Sequence, residues 1–208
     1  MLHLDELGWL NPCDHVQRHP TTHYDRRPAD AAIDLVVLHS ISLPPYEFRT
    51  HCVESFFVGM LDVDRSPALK SLRGVRVSSH FYIDRDGIVH QFVSTLDRAW
   101  HAGVSRFMGR ERCNDFSIGI ELEGSDFVPY EPKQYDRLIE LLAAIDVRHH
   151  PLYLVGHSDI APERKTDPGP YFDWYGLSLQ ADRFGRPALV GAAARMQLAL
   201  RQTGGRIV

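Results

Sequence analysis

Between Val155 and Trp174 the chain reads Val-Gly-His-Ser-Asp-Ile-Ala-Pro-Glu-Arg-Lys-Thr-Asp-Pro-Gly-Pro-Tyr-Phe-Asp-Trp, a histidine, several carboxylates and a lysine on one short path. Prolines at 162, 168 and 170 rule out a continuous helix, because proline fixes φ and removes a backbone donor. The stretch is therefore a shaped loop, suited to side chains that must converge on a point. His157 and Asp167 are both ligands for a borderline or hard metal ion, and Asp159 is a rival carboxylate only two residues from His157. Two ligands do not close a site, so a third must come from elsewhere.

The run Ile33-Asp-Leu-Val-Val-Leu-His39 supplies it. It reads as a buried strand that ends where polar residues and Pro44-Pro45 begin, which leaves His39 facing a cleft. Taken alone, such a histidine is better explained by a hydrogen bond at a strand end, and it is the constellation that favours a ligand. Ser117 to Gly124 alternates, with Ile118, Ile120 and Leu122 on one face and Gly119, Glu121 and Glu123 on the other. A cleft-side carboxylate on such a strand is either part of a structural ion pair or an acid–base group, and the alternation leaves both open.

The remaining elements must position these groups. Val75–Ile83 and Ile88–Val93 flank Asp84-Arg-Asp-Gly87 and predict an antiparallel hairpin. Val53, Phe56 and Phe57 predict a short helix whose phenylalanines are core. Residues 132–149 predict an amphipathic helix packed on a sheet, ended by Pro151, after which Leu152–Val155 is a buried strand that delivers His157. Ala188 to Gln202 is helical by period and alanine content. Residues 11–30 lack a sustained apolar period and read as a surface loop, on which His15, His19 and His23 are solvent-exposed rather than a metal cluster. The expected fold is α/β, a mixed β-sheet with flanking helices.

At 208 residues with 44% hydrophobic content, the chain can bury one sizeable core but hardly two. A net charge of −4 offers no basic footprint for nucleic acid. The first twelve residues hold no lysine or arginine and no apolar run of secretory type, and no segment has the ~18 apolar residues of a membrane span. Cys13, Cys52 and Cys113 stand far apart, signalling neither a disulfide framework nor a thiolate metal site. A cytoplasmic protein with reduced thiols is the expectation.

Five pieces carry a family resemblance: Leu38-His-Ser-Ile-Ser-Leu-Pro-Pro45, Arg76-Val-Ser-Ser-His80, Ala99-Trp-His-Ala-Gly103, Cys113-Asn-Asp-Phe-Ser-Ile-Gly-Ile-Glu-Leu-Glu-Gly124 and Gly156 to Pro170. In this order they resemble the zinc-dependent N-acetylmuramoyl-L-alanine amidases of the cytoplasmic 1,6-anhydro (AmpD) type, whose fold is that of the peptidoglycan-recognition proteins. The resemblance spans about residues 8–174. It implies a lead-in over 1–30 bordering the cleft and a catalytic domain over 31–174; residues 175–208 lie outside it and read from their own pattern as a helical extension of the same domain.

The resemblance further implies one Zn²⁺ per chain on His39, His157 and Asp167, with Glu121 as general base, Glu123 as its supporting partner and Lys165 as oxyanion donor. Arg76, Trp100, Arg112 and Ala161 stand at positions of substrate contact, and His80 and His101 are supporting or structural. Ser40 departs from the pattern, since the relatives carry Asn there, and a sugar contact is expected to be weaker or rearranged. The implied reaction cleaves the amide between (1,6-anhydro-)N-acetylmuramic acid and the L-alanine of a stem peptide during peptidoglycan recycling. The anionic stem calls for a locally basic, aromatic-walled cleft. The implied partner is a small muropeptide, with no nucleic acid and no membrane. Three other readings are an exported or phage-type amidase acting on intact wall, a muropeptide-binding protein of the same fold, and a metal-free binding domain.

Overall fold

The computed structural model describes residues 1–185 and 188–189. Its strands are β1 (Val16–Arg18), β2 (Tyr24–Arg26), β3 (Leu35–Ile41), β4 (Phe81–Ile83), β5 (Val89–Gln91), β6 (Asp97–Ala99), β7 (Arg106–Phe107), β8 (Arg110–Glu111), β9 (Ser117–Glu123), β10 (Tyr153–Gly156) and β11 (Ala188–Leu189). Seven of them form the main sheet in the order β1-β5-β4-β9-β3-β10-β11. Every pair in it is parallel except β4–β5, the antiparallel hairpin expected around Asp84–Gly87. Gly87 takes the positive φ of 79° that the reversal requires. The two small ribbons β2–β6 and β7–β8 are antiparallel. The mixed α/β sheet with flanking helices is thus the observed architecture.

Valine, leucine and isoleucine alternate on β3 and β9, and both faces of these central strands are buried. One face carries Val36, Leu38, Ile118, Ile120 and Leu122 against α2 (Pro132–His149), which contributes Leu138, Leu141, Leu142 and Ile145. Each such side chain is worth about 1.5–3 kcal/mol on burial. Pro132 opens α2, Gln134 accepts from the Glu131 N–H at 3.0 Å, and Arg148 and His149 sit in the last turn, where the helix dipole favours cations. The opposite face carries Leu35, Val37 and Val155 under Ala102, Cys113, Phe116 and Ile160. The short helix α1 (Cys52–Phe57) buries Val53, Phe56 and Phe57 in a neighbouring cluster with Tyr82 and Phe92, so those phenylalanines are core as expected.

Four expectations change. The lead-in is no plain surface loop: β1 forms an edge of the main sheet and β2 pairs with β6. Backbone pairing to open strand edges gives these segments the structure that apolar period does not. His23 is buried, not exposed, and its Nδ1 donates to Val77 O at 3.1 Å while the ring stacks 6.2 Å from Trp100; His19 is half-buried and stacks on His90. Residues 75–80 are not strand, since their groups bond sideways, the Ser78 N–H to Trp100 O at 3.2 Å. The helix expected over 188–202 does not begin there: Ala188 and Leu189 pair with the open edge of β10, and the rest of that span lies outside the described residues. Cys13, Cys52 and Cys113 are free thiols. Among the described residues no helix is long and apolar enough to cross a membrane.

Candidate active site

Strand register gathers the chemistry into one row. His39 on β3 is the Cα partner of Glu121 on β9, and Glu121 is in turn the partner of Tyr82 on β4. The β10–β3 ladder closes on Gly156 opposite Leu38, so His157 follows as the next residue beside His39. Neighbours in register point to the same side of a sheet, here the side away from α2, and the row lies at the carboxyl ends of the parallel strands. Asp167 returns to this row through the loop. The Ser158 N–H donates to Asp167 O at 2.9 Å, and Gly156 leaves room for Pro168, whose Cδ would lie 2.8 Å from a Cβ there.

The result is a compact donor triangle. His39 Nδ1 and His157 Nδ1 are 2.9 Å apart, His157 Nδ1 and Asp167 Oδ2 are 3.0 Å apart, and His39 Nδ1 and Asp167 Oδ2 are 3.3 Å apart. Among the described residues this is the one group of three donors close enough to hold a metal ion. A tetrahedral ion with bonds of about 2.0–2.1 Å spaces its ligand atoms about 3.3 Å apart, so the triangle fits one face of such a shell with small adjustments. Asp159 is not part of it: its Oδ2 accepts the Gly156 N–H at 2.9 Å, which shapes the turn into α3 (His157–Ile160).

The far nitrogens orient the rings. His157 Nε2 donates to Ala102 O at 3.2 Å, leaving Nδ1 free of its proton for a metal. His39 Nε2 donates to His101 Nδ1 at 2.9 Å, which puts the His101 proton on Nε2 toward Ser117 Oγ at 3.2 Å, and Ser117 donates to Cys113 O at 2.6 Å. His101 lies flat over Gly119, where a Cβ would come within 2.4 Å of its ring. His80 accepts the Gly119 N–H at 3.0 Å and so braces the same strand. His101 thus contacts His39, and His80 contacts the backbone of β9.

Burial controls the charges. It is the main cause that lowers His39 to about 4, with the neighbouring His157 adding to it, so His39 is neutral and available to a metal at pH 7. Burial opposes ionisation of Asp167, but the His157 and His39 imidazoles packed against its carboxylate outweigh it and hold that carboxyl well below its ordinary range. Glu121 is buried with its Oε2 unbonded; burial and then the Asp167 charge push it well above the carboxylate range, against the pull of Lys165. Glu123 sits elsewhere: its carboxylate accepts the backbone N–H groups of Arg49 and Arg85 and ties two loops to the end of β9.

Two cavities border the loop between His157 and Asp167, and only the first has a residue of the triangle, Asp167, in its wall. One, of about 300 Å³, is lined by Ser40, Lys165, Asp167, Tyr46 and Phe127 among others. The other, of about 850 Å³, is lined by Arg106, Arg112, Ala161 and Arg164 among others. Arg76 stands apart, its guanidinium 5.8 Å over the Trp100 ring, whose Nε1 donates to Asp25 Oδ1 at 3.1 Å. Sequence reasoning missed Arg164, which donates to Ala102 O and Val104 O, and the aromatic pair Tyr46–Phe127. Neither pair member sits in a periodic pattern, so no signal pointed to them.

Comparison with known proteins agrees with this geometry. A family model described as N-acetylmuramoyl-L-alanine amidase matches residues 29–170. The 1,6-anhydro-N-acetylmuramyl-L-alanine amidase AmpD of Enterobacter cloacae is 49% identical over 171 residues, covering 81% of this chain and 90% of that protein. A crystal structure of a selenomethionine derivative of AmpD aligns at a TM-score of 0.78 and 46% identity, covering 85% of this chain and 97% of that one. The amidase AmiD from E. coli, in complex with anhydro-N-acetylmuramic acid-L-Ala-D-γ-Glu-L-Lys, aligns at 0.55 and 30% identity over 98% of this chain and 72% of that one.

Proposed function

Since the chain belongs to the N-acetylmuramoyl-L-alanine amidase family, we propose that it uses zinc to cleave the amide between 1,6-anhydro-N-acetylmuramic acid and L-alanine in cytoplasmic cell-wall recycling. The observation that carries this reading is the donor triangle of His39, His157 and Asp167 beside the buried, unbonded carboxylate oxygen of Glu121. Two imidazoles and a carboxylate suit zinc, and three protein ligands are the number catalytic zinc sites use. When bound, zinc supplies Lewis acidity, which polarises an amide carbonyl and lowers the pKa of water to about 7.

The chain's own residues do the rest. Glu121 takes the proton of the attacking water and passes it to the departing alanine nitrogen; its unbonded Oε2 is the atom open to that proton. Lys165 shares the small cavity with Asp167 and carries the positive charge felt by Glu121 and His39, so its ammonium is suited to donate to the developing oxyanion. Arg112 and Ala161, on the wall of the larger cavity, suit the stem peptide and its carboxylates.

Mass spectrometry tests the reading. The purified protein is incubated with a 1,6-anhydromuramyl tripeptide or with intact peptidoglycan, each with and without a chelator. Chelator-sensitive release of peptide from the soluble fragment, restored by zinc, is the expected result. Release from intact wall alone moves the protein to the lytic class, and no release from either removes the enzymatic reading.

A further inference from the structure

Both histidines of the donor triangle are oriented from one dipeptide. The far nitrogen of His39 donates to His101 Nδ1 at 2.9 Å, and that of His157 donates to the carbonyl of the next residue, Ala102, at 3.2 Å. The amides of this dipeptide are held in turn by one side chain. Asn114 Oδ1 accepts the His101 N–H at 3.2 Å and the Ala102 N–H at 2.8 Å. Facing two donors, this atom of the carboxamide must be the oxygen, and both of its lone pairs are taken. Asn114 lies in the single helical turn Cys113–Asp115, which is entered through Arg112 at a left-handed φ of 60°. The carbonyl just before it, Cys113 O, receives the hydroxyl of Ser117, which closes the path of hydrogen bonds from the His101 ring. One turn thus holds the His101 ring, the His101 amide and the Ala102 amide together.

We propose that Asn114 is a positioning residue for both histidine ligands: its carboxamide oxygen sets the His101–Ala102 turn, and the turn sets the rings of His39 and His157. The inference rests on the metal reading above. Packing does not explain the asparagine, because the buried apolar contacts of its turn come from Cys113 and Phe116. Without Asn114 the two N–H groups lack their acceptor and turn toward water. That rotation moves the Cα atoms carrying the His101 ring and the Ala102 carbonyl. Ala102 O also accepts from Arg164 at 2.6 Å, so it carries two donors already and its direction is narrowly set. His39 and His157 would then both lose the bond that keeps the proton on the far nitrogen and leaves Nδ1 open to a metal. His101 serves His39 alone, whereas Asn114 serves both ligands.

The test reads the Nε2–H protons of His39 and His157 by proton–nitrogen NMR, together with zinc affinity by competition against a fluorescent chelator. The proteins compared are the wild type, Asn114→Ala, Asn114→Ser, Asn114→Asp and His101→Ala. In the zinc-loaded wild type both signals are sharp and shifted downfield by their hydrogen bonds. Asn114→Ala moves or broadens both and weakens zinc binding by about 10- to 100-fold, while His101→Ala disturbs chiefly the His39 signal. Asn114→Asp keeps an acceptor oxygen at the same reach, so it restores both signals and most of the zinc affinity. Asn114→Ser, too short to reach both N–H groups, carries the expectation of the alanine variant should that one not fold. Unchanged signals and zinc affinity in the alanine and serine variants, even with a lowered unfolding midpoint, overturn the proposal, and so does an aspartate variant that behaves like alanine. The same two protons are read in metal-free protein, so a wild type that holds no zinc overturns the zinc reading alone, and the signals still decide the role of Asn114.

Discussion

Gly119 touches no donor of the triangle, yet replacing it with alanine should weaken metal binding. A Cβ at Gly119 would lie 2.4, 2.6 and 2.8 Å from Cγ, Nδ1 and Cδ2 of His101. Ordinary contact begins near 3.4 Å, so the ring must retreat by about 1 Å. The bond it shares with His39 Nε2 is 2.9 Å long, and a retreat of that size takes it past the ~3.5 Å at which a hydrogen bond is lost. His39 then loses the partner that fixes its tautomer and ring orientation, a loss that costs metal sites about 10- to 100-fold in affinity, or about 1.4–2.7 kcal/mol. Competition against a fluorescent zinc chelator measures this directly, and overpacking costs a further ~1–3 kcal/mol of stability. In Gly119→Ala/His101→Ala the clash is gone, so the double variant should bind zinc no worse than His101→Ala alone and unfold later than Gly119→Ala. Wild-type zinc affinity in Gly119→Ala, or strictly additive losses in the double variant, would refute the chain of contacts proposed from β9 to the metal.

Three further outcomes follow from the same geometry. Glu121→Gln should keep zinc stoichiometry by metal analysis while kcat falls by about 10²–10⁴-fold, as expected for loss of a general base. In metal-free protein His39 titrates near 4 when folded against 6.5 when unfolded, so the unfolded chain binds more protons between those values. His80, His101 and His149, likewise lowered by burial, add to this difference, so denaturant unfolding should show stability intact above about pH 6.5 and falling by about 3 kcal/mol or more toward pH 4, and a flat profile across that window would contradict it. Arg27→Ala should destabilise the fold by about 3 kcal/mol or more, read as a shifted denaturant midpoint, because the nearly buried guanidinium donates to the carbonyls of Asn114, Asp115 and Ser117 at 3.0, 3.2 and 2.8 Å.

Apolar runs and alternation made β3, β9 and α2 legible, and with them His39 and Glu121, because these segments bury both faces or one clean stripe and the period survives in the sequence. The two turns that needed special backbone were legible as well, Gly87 in the hairpin and the proline-rich path to Asp167. What stayed hidden has one cause: its stabilisation comes from partners far along the chain. β1 exists because β5 offers an open edge, and β11 because β10 does, so neither needs an apolar period of its own. His23 looked like one of three exposed histidines and is buried because Ser78, Val77 and Trp100 close over it. Arg27, read as loop, is the bolt between the lead-in and the sheet. Tyr46 and Phe127 lie 81 positions apart and meet only when β3 and β9 are neighbours.

The same distinction bears on how the triangle assembles. His157 and Asp167 form a local unit: the Ser158 N–H holds the Asp167 carbonyl, Asp159 holds the Gly156 N–H, and Gly156 admits Pro168. Its closure spans ten residues, so its entropic cost is small and does not wait for the sheet. His39 lies 118 residues from His157 and reaches it only through the β3–β10 ladder. A chain in which β3 and β10 separate therefore keeps a two-donor loop and loses the third donor, and two donors do not hold zinc tightly. On the zinc reading proposed above, metal binding and sheet pairing form one linked equilibrium, in which the metal stabilises the folded chain in proportion to the logarithm of its free concentration. The thermal midpoint should accordingly climb as free zinc rises in the wild type, and His39→Ala, with the local loop intact, should lose most of that climb.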